Sequence, residues 1–163
     1  MTFICFYLYF RDQTGKTRDR DVVLLHGVHS SSDEFREPGG LIDFIEEDDR
    51  SPYRTAYFYT YPWGEPITEN ATELVAMIKA LSKSGKLAGS FDIIAHSMGG
   101  IVARWAIENP MAVSGGSIAS QVNHLFMLAT PNWGVPISSI KRFLASKILP
   151  PGPLQLTVKC FYG

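Results

Sequence analysis

Residues 91 to 105 read FDIIAHSMGGIVARW, and the fold turns on them. Phe91 to His96 form a short, mostly apolar run with the character of a strand. Met98, Ile101, Val102 and Trp105 then recur at the i, i+3, i+4, i+7 spacing of a buried helix face. Ser97 stands at the junction. A chain that passes from strand to helix within one or two residues forces the turning residue into a strained conformation. It also leaves no room for side chains on the neighbours that pack against it. Ala95, Gly99 and Gly100 are small where that demand falls.

Outward from this stretch, strand and helix signals alternate. DVVLLHG at 21–27 has four consecutive aliphatics, which suits a central parallel strand buried on both faces and ending at His26-Gly27. Before it, residues 3–10 read as a strand apolar on both sides, followed by a turn from Asp12 to Asp21 around Gly15. After it, Ser31 with Glu34 forms a capping-box pattern for a helix that Pro38-Gly39-Gly40 interrupts, and Leu41 to Glu47 puts Leu41, Ile42 and Ile45 on one helical face. TAYFYTY at 55–61 is β-branched and aromatic, so a strand is expected there, with PWGEP as its exit loop. Asn70 and Glu73 predict a helix start, Leu74, Met77, Ile78 and Leu81 its buried stripe, and Gly85 its C-terminal cap. The sequon Asn70-Ala71-Thr72 matters only in a secreted eukaryotic protein.

Asn109-Pro110 stops the helix that follows Ser97, and a loop is expected from Ser114 to Ser120. Val122 to Ala129 read as another strand, leading into TPNWGVP, and Ile137 to Lys147 as a short helix. Leu154, Leu156, Val158 and Cys160 alternate with polar residues in the manner of a half-buried edge strand. Asp92, ahead of its strand, reads as a solvated or turn residue, and Glu46 to Asp49 as a solvated helix end.

At 163 residues, 45% hydrophobic and 19% charged, the chain suits one domain with a real core. Its 15 basic and 16 acidic residues give a formal charge of −1, so nothing marks a nucleic-acid partner. Cys5 and Cys160 read as free thiols rather than a pair, no metal-ligand spacing is present, and no cofactor is expected. The apolar start lacks a basic n-region and a small-residue cleavage site, and no stretch approaches the roughly 20 apolar residues of a membrane span. Localisation stays open, with a soluble cytoplasmic form as the default.

Strands alternating with helices imply an α/β architecture: a mostly parallel sheet with helices on both faces. Sites in such sheets form at the carboxyl ends of strands. His26-Gly27-Val28, Trp63-Gly64 and Ser97 all fall there. A serine hydroxyl attacks a carbonyl well only when a base takes its proton and donors stabilise the oxyanion. The N–H of Met98 starts a helix beside Ser97, and the loop after the earlier central strand offers Val28 as its partner. His29, Trp63 and Trp133 are candidates for a substrate pocket, with core packing the other reading for the two tryptophans.

DVVLLHG, DIIAHSMGGIVARW and HLFMLATPNWGVP, in this order and at these spacings, resemble the α/β-hydrolase lipases, in particular bacterial triacylglycerol lipases and GPI inositol-deacylase-like proteins. The likeness runs from about residue 21 to 136, with alanine at position 95 where the elbow usually has glycine. It implies Ser97 as nucleophile, Val28 and Met98 as oxyanion hole, and His26, Gly27, Ala95, His96, Gly99 and Gly100 as the elbow and its support. The implied substrate is a small-molecule acyl ester or a lipid.

The triad is where the chain departs from this family, whose order is Ser, then Asp or Glu, then His. After Ser97 the sequence holds one carboxylate, Glu108, inside the helix, and one histidine, His124, at the start of a strand. His26 and His29 lie upstream, and His96 precedes the serine. Loss of the base in a serine enzyme costs about a millionfold in turnover. The expectation is therefore a single, incomplete α/β-hydrolase domain over 1–163, its last strands missing, with 137–163 as a lid start or divergent tail. Such a chain would be a near-inactive serine ester hydrolase, open to self-association through an exposed sheet edge. The alternative is a non-catalytic domain that binds an acyl ligand or a partner protein.

Overall fold

Val22, Val23, Leu24 and Leu25 are each at most 1% exposed. Their strand, β1 (Arg20–Leu25), is paired on both edges. In the computed structural model, which describes residues 18–48, 50–110 and 116–134, β1 lies in parallel between β2 (Tyr53–Tyr59) and β3 (Phe91–His96). A fourth strand, β4 (Val122–Leu128), pairs in parallel with β3, and the sheet order is β2-β1-β3-β4. Leu25 stands opposite both Tyr59 and Ala95, and His96 opposite Leu128, so the four strands finish at one level.

Among the described residues three α-helices complete the layers: α1 (Leu41–Glu47), α2 (Ile67–Lys83) and α3 (Met98–Glu108). Alternate strand residues feed two cores, as a sheet covered on both faces requires. Val23, Leu25, Tyr57, Tyr59, Ile93 and Ala95 pack with Leu74, Ile78 and Val102 from α2 and α3. Val22, Leu24, Ala56, Phe58 and Ile94 pack with Phe35 and with Ile42 and Ile45 from α1. Each large apolar side chain so enclosed contributes about 1.5–3 kcal/mol relative to exposure.

The strand order places a switch point. From β1 the chain moves outward to β2, then crosses back over β1 to β3, so the connections leave β1 and β3 in opposite directions. A crevice opens at the carboxyl ends of two such strands. His26-Gly27-Val28 and Ser97 are the residues that leave those ends.

Several local expectations are corrected by packing. The helix expected at Asn70 begins at Ile67, with Pro66 as its cap; Asn70 is 1% exposed and donates to the carbonyls of Pro62 and Glu65, which ties the preceding loop to the helix and buries the asparagine of the sequon. Ser31 does cap, accepting from the amide of Asp33, but what it caps is a short 3-10 helix, Ser32–Phe35, and Glu34 turns elsewhere. Asp21 lies within β1 and binds Arg54 through both oxygens, at 3.0 and 2.8 Å. Asp92, read as solvated, is 1% exposed inside β3. The buried residues of α3 are Met98, Gly99, Gly100, Val102, Ala103 and Ala106, while Ile101 and Trp105 of the expected stripe are half-buried, because small side chains let the helix approach the sheet closely. In β4, Phe126 and Leu128 are 46% and 47% exposed, so only Val122 and Leu125 join a core.

The chain divides into two compact units, Met1–Thr130 and Pro131–Gly163. The described part of the second is a turn in which the Gly134 amide donates to the Pro131 carbonyl at 2.9 Å. The strand expected at 3–10, Cys5, Cys160, the helix expected at 137–147 and the edge strand at 154–160 lie outside the described residues. Among those described, no helix is long and apolar enough to cross a membrane.

Candidate active site

Ser97 has φ +52° and ψ −120°, between the last residue of β3 and the first of α3. A side chain in that region of backbone space is strained and is held there by its surroundings. Two backbone bonds hold this one: its amide donates to the Leu128 carbonyl at 2.8 Å, and its carbonyl accepts from the Gly100 amide at 3.1 Å. Three non-glycine residues have positive φ among those described, His29, Ser97 and Ala129, and each follows the carboxyl end of β1, β3 or β4. The strain is concentrated at one end of the sheet.

The small residues are explained by contacts. A Cβ on Gly99 would come 2.7 Å from the His26 carbonyl oxygen and 2.8 Å from that of Leu25. One on Gly100 would overlap Thr130, just past β4, and one on Gly27 would stand 3.0 Å from Ser97 Cβ and 3.1 Å from His96 Nδ1. Glycine thus lets the first turn of α3 sit directly on the ends of β1 and β4. Ala95 is fully buried within the sheet.

His26 is fully enclosed. Its Nε2 accepts from the Tyr61 amide at 3.2 Å, which fixes the tautomer, and Nδ1 donates to the Gly27 carbonyl at 2.8 Å. Its ring stacks on Tyr61 at 4.4 Å, and the Tyr61 hydroxyl donates back to the His26 carbonyl. Burial holds its pKa below the ordinary histidine value. Both nitrogens are engaged, so His26 joins the end of β1 to the exit of β2 and is no base.

Glu34 is the site residue that sequence reading assigned elsewhere. Its Oε1 accepts from the Gly27 amide at 3.1 Å and lies 3.2 Å from His96 Nδ1. No local pattern announces this, since His96 is 62 positions away. His29 and Trp63 meet with ring centroids 3.8 Å apart and line a cleft of about 520 Å³ whose other walls, among them Ser31, Asp33, Glu34 and Glu37, are polar. Val28 is half-buried against the core of α2 and α3, and Met98 is buried. Trp133, in the second unit, is 92% exposed.

The two residues downstream of Ser97 with triad chemistry are used elsewhere. Glu108 pairs with Arg104 one turn back, at 2.9 Å. His124 Nδ1 binds Asp92 Oδ1 at 2.9 Å near the amino ends of β3 and β4, about 16 Å of strand away from Ser97. Among the described residues no group of three metal-ligating side chains converges.

A parallel sheet wrapped on both faces, with a strained serine between its central strand and a helix, defines an α/β-hydrolase fold, and solved structures agree. The mature lipase BlEst2 of Bacillus licheniformis is 17% identical, with a TM-score of 0.65 over 85% of this chain and 51% of that one. MenH of S. aureus is 21% identical, with a TM-score of 0.51 over 86% and 48%. The α/β hydrolase MGS-MChE2, from the metagenome of sediments of the lagoon of Mar Chica, Morocco, is 15% identical, with a TM-score of 0.52 over 86% and 55%. The chain thus spans about half the length of these solved structures. Within this class it belongs to the family described as a domain of unknown function, DUF7379, which residues 10–145 match. No curated protein matches it.

Proposed function

We propose that this chain carries the nucleophile and oxyanion hole of a serine ester hydrolase acting on acyl esters of the lipase or carboxylesterase kind. The observation that carries the reading is the left-handed backbone of Ser97 at the bend between β3 and α3. In the proposed step Ser97 Oγ attacks the ester carbonyl carbon and loses its proton to a base. The N–H groups of Val28 and Met98 hold the resulting oxyanion, the alcohol departs with a proton, and water then releases the acid. Each such donor contributes about 3 kcal/mol of transition-state stabilisation in other serine enzymes. The acyl substrate class has its support in the lipase among the similar structures.

The sequence has no histidine after His124 and no carboxylate after Glu108. Turnover by this chain alone is therefore expected to be low, with the base supplied by a group outside it or by solvent.

A fluorophosphonate probe at high concentration and long exposure tests the assignment, since a single phosphonylation of Ser97 by this strong electrophile needs no turnover and draws on the oxyanion hole even where the base is weak. Labelling of the full chain that disappears in Ser97→Ala supports it. A well-folded protein that takes up no label, yet binds a fatty acyl ligand, points instead to the non-catalytic binding domain.

A further inference from the structure

One oxygen of Glu34 touches both halves of the candidate site. It accepts from the amide of Gly27, the residue before Val28, and stands beside Nδ1 of His96, the residue before Ser97. The two contacts join the loop after β1 to the end of β3, segments far apart in sequence. The Glu34 side chain is 18% exposed, so water competes weakly for the bonds it makes. The join is also sterically tight, because Gly27 is packed against Ser97 and His96 so closely that a Cβ there would come within 3.0 Å.

We propose that Glu34 is a positioning residue: its carboxylate sets the register of the Gly27-Val28 loop against the elbow, and so the distance between the Val28 amide and the carbonyl that Ser97 attacks. It touches no reacting atom, and its effect on chemistry rests on the serine-hydrolase reading above. Its effect on the loop does not. A misplacement of about 1 Å in such a site can cost about a hundredfold in rate.

Amide hydrogen exchange by NMR on the full ¹⁵N-labelled chain tests the local role. In Glu34→Ala the Gly27 amide is expected to exchange about tenfold faster or more, as befits loss of a bond to a charged acceptor, while the amides of Val23 and Leu24 keep their rates. Glu34→Gln, which retains an acceptor oxygen, restores most of the protection. Glu34→Asp, which keeps the charge but shortens the reach, behaves as Glu34→Ala and stands in for it should that variant not fold. Unchanged exchange at Gly27, or a uniform rise across the sheet, overturns the proposal. Fluorophosphonate labelling is a separate arm, expected to slow about tenfold to a hundredfold in Glu34→Ala and to recover in Glu34→Gln. Labelling at the unaltered rate overturns the positioning role. Failure of the unsubstituted protein to label sinks the hydrolase reading, while exchange still decides what Glu34 holds.

Discussion

His124 donates to Asp92 at 2.9 Å across the amino ends of β3 and β4, at the opposite end of the sheet from Ser97. Asp92 also accepts from the Tyr53 hydroxyl at 3.0 Å and faces Arg20 at 3.8 Å, so one buried carboxylate on β3 gathers side chains from β1, β2 and β4. Burial, reinforced by the bond to Asp92, pushes the Tyr53 hydroxyl up to about 12. The cluster is a clasp rather than part of a triad. His124→Gln is expected to leave Ser97 labelling within about twofold, as distant sites act independently. Asp92→Ala strands the Tyr53 hydroxyl and is expected to lower unfolding free energy by about 1–3 kcal/mol, measured by urea titration. Loss of labelling in a folded His124→Gln protein would return His124 to the chemistry.

Gly99 and Gly89 offer a matched comparison. A methyl on Gly99 meets two backbone carbonyls that cannot step aside, whereas one on Gly89 meets nothing within 4 Å. Gly99→Ala is expected to destabilise by about 1–3 kcal/mol and to slow Ser97 labelling, because α3 must lift off the ends of the strands that shape the site. Gly89→Ala is expected within about 0.5 kcal/mol of the unsubstituted chain. Equal stability for the two variants would mean that α3 does not seat on β1 as described.

What was legible in the sequence was what local pattern records. Four aliphatics in a row marked β1 as central, and a serine flanked by small residues between two apolar periods marked the bend. What was not legible depends on partners far along the chain. Asp92 reads as a polar residue ahead of a strand until β2 and β4 bring Tyr53 and His124 to it. Glu34 reads as half of a capping box until β3 arrives beside the loop, whereupon its carboxylate serves Gly27 and His96 instead. Asn70 likewise satisfies a cap pattern, but Pro66 begins the helix earlier and turns the side chain back onto the loop. For Asp92 and Glu34 a distant partner displaced the local use, whereas Asn70 exchanged one local use for another, on carbonyls eight and five residues back.

The enclosure of His26 makes stability depend on pH, and the sign follows from its bonds. Its pKa is lowered in the folded state, chiefly by burial, with the Glu34 charge and backbone bonds opposing. The folded chain therefore resists a proton that the unfolded chain accepts at its ordinary value near 6.5. Protonation at Nε2 also forfeits the bond from the Tyr61 amide. Since the unfolded state binds more protons below about 6.5, stability is full above that value and falls as pH drops toward the depressed folded pKa, at no more than about 1.4 kcal/mol per pH unit for one group. Urea unfolding at pH 7.5 and pH 5.5 reads this directly. The unsubstituted chain is expected to lose stability between them, and His26→Gln, weaker at both values, to lose less on acidification. An equal loss in the two proteins would place the pH dependence in another group and leave His26 without the energetic role that its burial implies.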